Sequence, residues 1–233
     1  MLFNSEYNSN LVNDTYLKLI DCKNNVRNRF ILKVYSVVIL QLLTTFILGL
    51  ITYNVDTVRE YVLTHPALLI LSMVVMITTI IMLTCWFHTN YPINVFLMVI
   101  FTLSLSYMVG VTATSYKPEI LVQAIILTLS ITVLLSIFTW YNREKDFSKL
   151  GSFLFCALFI LIIGTFINMV FQFKVLDTVL ACFGTVIFSL YIIYDSHLIF
   201  TKYKENEWVI ASIGLYLDII NLFLQLLRLL QRE

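Results

Sequence analysis

Two aspartates lie within long apolar runs near the C-terminal end of the chain. Asp195 is part of SLYIIYDSHLIF, and Asp218 lies near the middle of GLYLDIINLFLQLLRLL. An ionised Asp costs at least about 2.5 kcal/mol at the centre of a membrane helix, so each carboxylate needs a partner, a proton or water. Because only a short polar segment joins the two runs, we expect their helices to be in contact and the two carboxyl groups to meet.

A pair of carboxyl groups in one place can act through a shared proton. Two neighbouring carboxylates do not both ionise readily, so the pair is expected to keep one proton between them. Once that proton leaves, the doubly negative pair suits hard cations, which prefer carboxylate oxygen. The residue types therefore predict a proton-sensitive latch at Asp195 and Asp218, which can also serve as a transient calcium site.

Three further polar residues follow Asp218 on the same predicted helix. Asn221, Gln225 and Arg228 come at steps of three, four and three, which places them on one helix face. Since a helix in lipid turns such a face toward protein or water, we predict that it lines an ion path. Glu207, just before the helix, is predicted to form the mouth of that path. For the two amides, hydrogen bonds that only hold helices together remain an open alternative.

Apolar helices are the elements that must position these residues. Of the 233 residues, 60% are hydrophobic and 12% are charged, which is far more apolar than a soluble domain. A run of about 20 apolar residues spans a bilayer, and the runs lack the alternation of a transmembrane barrel. The predicted fold is an all-α integral membrane protein in which residues 30–233 form a single seven-helix domain after an N-terminal segment, 1–29. The predicted spans are 30–53, 67–87, 92–113, 119–141, 150–171, 176–200 and 208–230.

The Lys and Arg residues are distributed unevenly between the connecting segments. Ten of them lie in the head up to residue 33 and in the loops 142–149 and 201–207, whereas the alternate loops hold three. Because cytoplasmic loops are enriched in Lys and Arg, the N-terminus is predicted to be cytoplasmic. The last span either crosses fully, with a luminal C-terminus, or re-enters toward the cytoplasm.

Several motifs together resemble the transmembrane Bax-inhibitor-motif family. YIIYDSH at 191–197 and SIGLYLDIINLFLQLLRLL at 212–230 resemble the end of its Lifeguard and Golgi anti-apoptotic branch. The resemblance extends from about residue 30 to 230. The composition, which is rich in Asn, Ile and Tyr, is similar to that of poxvirus-encoded members of the family. Further matching motifs are HPALLI at 65–70, NYPIN at 90–94, LVQAIILT at 121–128 and KDFSKLG at 145–151.

This resemblance implies a bundle whose C-terminal helix is central and wrapped by the other six. It also implies a calcium leak channel of Golgi and endoplasmic reticulum membranes in the host cell, which lowers stored calcium and inhibits apoptosis. Asp195 and Asp218 match the family's di-aspartyl pH sensor, while Glu207 and Asp218 match acidic positions linked to conduction. Bacterial members complete the latch with a basic residue in the second helix. Since 67–87 has none, the closed state is expected to rely on the shared proton or another donor.

The sequence gives less support to functions other than ion conduction. An intramembrane aspartyl protease needs Gly two residues before its second Asp, where this chain has Tyr216, so no enzyme is predicted. No cofactor is expected, and calcium enters as the permeant ion. The expected partners are membrane lipid, calcium and other cations. Because the net charge is only +1 and no cluster of Lys and Arg is present, binding of nucleic acid is not expected. Two alternatives remain: the protein can form a homo-oligomer, and it can act as a non-conducting scaffold that binds calcium channels or regulators of cell death.

Overall fold

Long helices account for the regular structure of this chain. The computed structural model describes residues 2–231, and it describes side chains for residues 25–231 except Ser148. Within that part every regular element is helical, which confirms the predicted all-α fold. Most side chains of the expected N-terminal segment, 1–29, lie outside the described residues.

The described chain contains eight α-helices. A π-helical turn, Leu83–Phe87, extends the third, and short 3-10 turns at Phe147–Lys149 and Glu205–Glu207 precede the sixth and eighth. The helix bounds are Leu2–Asn54 (α1), Asp56–Thr64 (α2), Pro66–Met82 (α3), Ile93–Ala113 (α4), Pro118–Tyr141 (α5), Leu150–Phe171 (α6), Lys174–Thr201 (α7) and Trp208–Leu230 (α8).

Seven of these helices are long and apolar enough to cross a membrane, so the chain is a multi-pass membrane protein. Their bounds coincide with the predicted spans to within a few residues, apart from α1. That helix is already formed at Asn25 and continues into the first span without a break. The short helix α2 was not predicted, because its nine residues have too few apolar side chains to register as a span.

Prolines and one left-handed residue explain several helix boundaries. Pro66 and Pro118 occupy the first turns of α3 and α5, where a missing backbone N–H costs nothing. Pro92 immediately precedes α4. Helix α6 ends at Phe171, and the next residue, Gln172, has a φ of 52°, which stops helical hydrogen bonding before α7 begins. The prolines are local signals, which is why the sequence indicates the boundaries beside them.

The last helix, α8, is the most buried of the seven. In its most apolar stretch 72% of residues are buried, against 11–44% for the other six. It packs directly on α1, α4, α5 and α7, whereas α3 packs mainly on α4 and α6 mainly on α7. The expectation that α8 is central and wrapped by the other six helices is not confirmed by these contacts.

The bundle has two ends, which are tied by different contacts. At the near end, defined by Arg27 and the loops 142–149 and 202–207, the Arg27 guanidinium donates to carbonyls at the end of α7. At the far end, defined by α2 and the loop 114–117, Arg59 donates to the carbonyl of Thr114 (3.3 Å). Helix α8 runs unbroken from the near end to the far end, so it crosses the bundle rather than re-entering.

Candidate functional site

The carboxyl groups of Asp195 and Asp218 meet between α7 and α8. They lie within hydrogen-bonding reach of each other, as the short connection between the two helices predicts. A carboxylate only accepts hydrogen bonds, so this bond requires a proton on one of the two groups. Asp218 is 7% exposed, and no other described residue donates to its Oδ2 atom. The contact between the two carboxyl groups is therefore buried within the helix packing.

A glycine makes room for this contact. Gly214 lies one helical turn before Asp218 on α8, and a Cβ atom built there would overlap Oδ2 of Asp195. The Asp195 carboxyl group thus rests against bare backbone, which lets it reach across to α8. The role of Gly214 beside the pair was not predicted from the sequence.

The pair alone does not provide a complete calcium site. Calcium takes six to eight oxygen ligands, whereas two carboxylates supply at most four oxygens. Among the described residues there is no group of three or more His, Cys, Asp or Glu side chains that could hold a metal ion. A calcium ion at Asp195 and Asp218 would therefore keep part of its water shell.

The polar face of α8 continues from Asp218 toward the far end of the bundle. Asn221 and Gln225 are half-buried on this face, and Arg228 lies in the last turn of the helix. Arg228 donates one hydrogen bond to Oε1 of Gln225 (3.2 Å) and pairs with Asp177 in the first turn of α7. Of the predicted stripe, Gln225 and Arg228 are thus in direct contact, and Arg228 continues it to Asp177 on α7.

Asp177 was missed as the partner of Arg228. The available signal was topological: α7 and α8 are antiparallel neighbours, so residues at similar distances from their connection lie side by side. Asp177 and Arg228 are both near the helix ends that are remote from this connection. Their opposite charges could have been paired on that basis.

Glu207 lies at the near end, where α8 begins. Its carboxylate accepts a hydrogen bond from the backbone N–H of Lys204 (2.8 Å) and so closes the connecting turn. Tyr203, in the same connection, is close enough to Asp195, Glu207 and Asp218 to interact with all three electrostatically. Burial raises the pKa of the Tyr203 phenol, with the three carboxyl groups adding to the shift, so Tyr203 stays neutral.

Comparison with known proteins identifies the family. The sequence model described as "Inhibitor of apoptosis-promoting Bax1" matches residues 27–233. The chain belongs to this Bax-inhibitor family. The Golgi anti-apoptotic protein of vaccinia virus (strain Lister) is 39% identical over 207 residues, covering 89% of this chain and 86% of its own length. Protein lifeguard 4 of Mus musculus is 36% identical with the same coverage, and Protein LIFEGUARD 2 of Arabidopsis thaliana is 33% identical over 211 residues, 88% of each chain.

This Bax-inhibitor bundle also contains a buried polar network that the sequence did not reveal. The hydroxyl groups of Thr45 on α1 and Tyr216 on α8 are hydrogen bonded (2.7 Å), and Thr45 also contacts the hydroxyl of Ser106 on α4 (2.8 Å). One turn away on α1, Gln41 donates to Thr102 on α4 (2.9 Å). The network ties three helices together on the side of α8 that carries Tyr216.

The near end of the bundle is closed by Arg27 of α1. Its guanidinium donates to the carbonyl oxygens of Leu198 and Phe200 in the last turn of α7 and of Tyr203 just beyond that helix. A cation at the C-terminus of a helix is also favoured by the helix dipole. Arg27 therefore fixes α1 to the end of the helix that carries Asp195.

Proposed function

We propose that this protein is a calcium leak channel whose conduction depends on the proton shared by Asp195 and Asp218. The single observation that carries the proposal is the direct contact of these two carboxyl groups between α7 and α8, the most buried helix. With the proton in place, the hydrogen bond holds the two helices together. Without it, two like charges repel across the same contact, and the space between them favours a cation.

The polar face of α8 supports a path on either side of the pair. Glu207 lies at the near end, and Asn221, Gln225 and Arg228 follow Asp218 toward the far end. Leu, Ile and Phe cover much of the rest of α8, and the hydroxyl of Tyr216 is already bonded to Thr45, so we propose that water and ions follow the face that carries Asp218. We propose that a cation leaving the lumen is held briefly by Asp195 and Asp218 and then exits past Glu207 at the near end.

Family membership supports the cellular part of the proposal. Relatives that match most of this chain are named a Golgi anti-apoptotic protein and Lifeguard proteins. We propose that this chain acts in Golgi and endoplasmic reticulum membranes, with its N-terminus in the cytoplasm. There it lowers stored calcium and so inhibits apoptosis, without acting as an enzyme.

The test is calcium flux from liposomes that contain the purified protein, measured at several pH values. Wild-type flux should rise with pH as the shared proton is lost. Asp218→Asn and Asp195→Asn should give low flux that no longer follows pH, because the Asn amide donates to the remaining carboxylate at every pH. Asp56→Asn, an exposed aspartate on α2, is the matched control and should keep the wild-type pH profile.

The same measurement separates conduction from a scaffold that binds regulators of cell death or calcium channels. Silent wild-type protein, or two Asn variants that both match wild type at every pH, would show that the Asp pair is structural. In that case the scaffold becomes the better account, and protection from apoptosis should survive both Asn substitutions.

A further inference from the structure

A groove opens between α1 and α5 at the near end of the bundle. Both helices pack on α7 and α8, but they make little contact with each other, and a cleft of about 410 Å³ remains between them. Its volume lies in the range of sites that bind small organic molecules. Because Ile137, Trp140 and Tyr141 at its rim are exposed on a membrane-spanning helix, the groove is open to lipid.

Helix α1 forms one wall of the groove, which changes from basic to apolar with depth. Arg27, Ile31 and Tyr35 follow one another at steps of four, so they lie on one face of the helix. At about 1.5 Å per residue, Tyr35 lies about 12 Å deeper than Arg27. The Tyr35 ring stacks on Phe200 of α7 (6.2 Å between ring centroids), and its hydroxyl already contacts that of Ser196 (3.3 Å). Deeper in the groove this wall therefore offers mainly aromatic and aliphatic surface.

Helix α5 forms the other wall and ends in aromatic residues followed by a basic one. Trp140 packs edge-on against Phe200 (5.2 Å between centroids), and Arg143, just beyond the helix, lies over the Trp140 ring (5.0 Å). Trp and Tyr are enriched where a membrane meets water, so Trp140 and Tyr141 mark the interface on this wall. Ile137 lies one turn deeper, and the order from basic to apolar is the same as on α1.

Positive charge surrounds the mouth of the groove. Arg27 approaches it from α1 and Arg143 from the end of α5. Arg27 also donates to carbonyls at the end of α7, but a guanidinium has five N–H donors and keeps its charge. Acidic residues do not reverse this balance, because the loop 142–149 carries three basic side chains against two acidic ones, and Asp146 lies beside Lys202 of α7 (3.9 Å). The mouth therefore favours an anionic group.

We propose that this groove binds one phospholipid with an anionic head group, taken from the leaflet at the near end. The head group lies between Arg27 and Arg143, since a planar guanidinium matches the oxygens of a phosphate. The glycerol lies beside Trp140, and an acyl chain follows Ile31 and Ile137 into the groove. A phospholipid carries charged, interfacial and apolar parts in this same order. The cytoplasmic leaflet is the one that holds anionic phospholipid, which agrees with the proposed orientation of the chain. The site is independent of conduction.

The experiment measures lipid binding to the purified protein in detergent by native mass spectrometry, with phosphatidylserine or phosphatidylcholine added at equal concentrations. We expect one phosphatidylserine per chain, bound more tightly than phosphatidylcholine. Arg143→Gln should weaken phosphatidylserine binding about fivefold, which corresponds to about 1 kcal/mol for one basic residue beside anionic lipid. Arg29→Gln is the matched control. Arg29 is exposed at the same end but lies two residues from Arg27, on a nearly opposite face of α1, so its loss should leave binding unchanged.

A second pair of variants tests the groove itself. Ile137→Trp places a large ring in the cleft and should remove the bound phosphatidylserine. Ile126→Trp makes the same change at another exposed position of α5, about 16 Å away toward the far end, and should leave the lipid bound. Both isoleucines face outward, so all four proteins are expected to keep the wild-type fold, which circular dichroism verifies.

Several results would overturn the proposal. Equal binding of the two lipids would refute the anionic head group, as would equal effects of Arg143→Gln and Arg29→Gln. Retention of phosphatidylserine by Ile137→Trp would refute the groove as its location. A dimer without bound lipid, abolished by Ile137→Trp, would show that a second copy of this chain covers the groove instead. Because no step of the test measures calcium flux, a protein that does not conduct would leave the lipid site standing.

Discussion

Gly214 allows a direct test of how the two carboxyl groups come together. A Cβ atom at this position would overlap Oδ2 of Asp195 and lie 3.5 Å from its Cγ, so Gly214→Ala must push the Asp195 carboxyl group away from Asp218. Gly49 on α1 is the matched control, because a Cβ there has nothing within 4 Å. Both glycines lie inside helices, so both substitutions bring the same change in helix propensity.

The expected size of the effect follows from two opposing contributions. Replacing Gly by Ala inside a helix stabilises it by about 1 kcal/mol, which is the whole change expected for Gly49→Ala. In Gly214→Ala the buried Asp218 also loses its hydrogen-bond partner, at a cost of about 1–3 kcal/mol. The two variants should therefore differ by about 1–3 kcal/mol, or about 2–12 °C in melting temperature for a chain of this size.

The assay is thermal unfolding of the purified variants in detergent, followed by far-UV circular dichroism. We expect Gly49→Ala to melt slightly above wild type and Gly214→Ala to melt below Gly49→Ala by the stated margin. Equal melting temperatures for the two variants would refute the reasoning. They would mean that Asp195 does not rest against Gly214, or that its contact with Asp218 contributes nothing to stability.

Two further predictions concern contacts that hold α1 in the bundle. Arg27→Ala should lower the free energy of unfolding by about 1.5–3 kcal/mol, the range for hydrogen bonds to a charged group, while Arg29→Ala at an exposed neighbouring position should have little effect in the same melting assay. Tyr216→Phe should cost about 1 kcal/mol, and Thr45→Val should cost more because it also loses the contact with Ser106. The double variant should cost little more than Thr45→Val alone, because both single changes remove the Thr45–Tyr216 hydrogen bond. Strict additivity in the double variant would contradict that shared bond.

The sequence was informative where the deciding signal is local or lies between neighbouring helices. Apolar runs and prolines mark the spans directly, so the predicted bounds agree closely with those of α3 to α8. The meeting of Asp195 and Asp218 was predictable because a short connection forces α7 and α8 to be antiparallel neighbours. The period of the polar residues on α8 was enough to place Asn221, Gln225 and Arg228 on one face.

The remaining features depend on how distant helices are placed against each other. Thr45 and Tyr216 are 171 residues apart, and neither is unusual in an apolar helix, so nothing in their local sequence marks them as partners. The same holds for Arg27, whose targets are backbone carbonyls that carry no side-chain signature. Direct packing of all six helices on α8 was inferred from resemblance. In the structure α3 packs mainly on α4 and α6 mainly on α7, and the period of apolar residues does not specify which helix packs on which.

The burial of α8 also bears on how a cell makes this protein. Synthesis proceeds from the N-terminus, so the helix that supplies much of the core leaves the ribosome after every helix on which it packs. Until then, the hydroxyl of Thr45 lacks its partner on Tyr216, and the faces of α1, α5 and α7 that pack on α8 stay uncovered in the membrane. A chain truncated before residue 208 would therefore retain most of its spans but expose polar surface to lipid. Such products should be recognised and degraded by membrane quality control, which makes the last helix a checkpoint for completed synthesis.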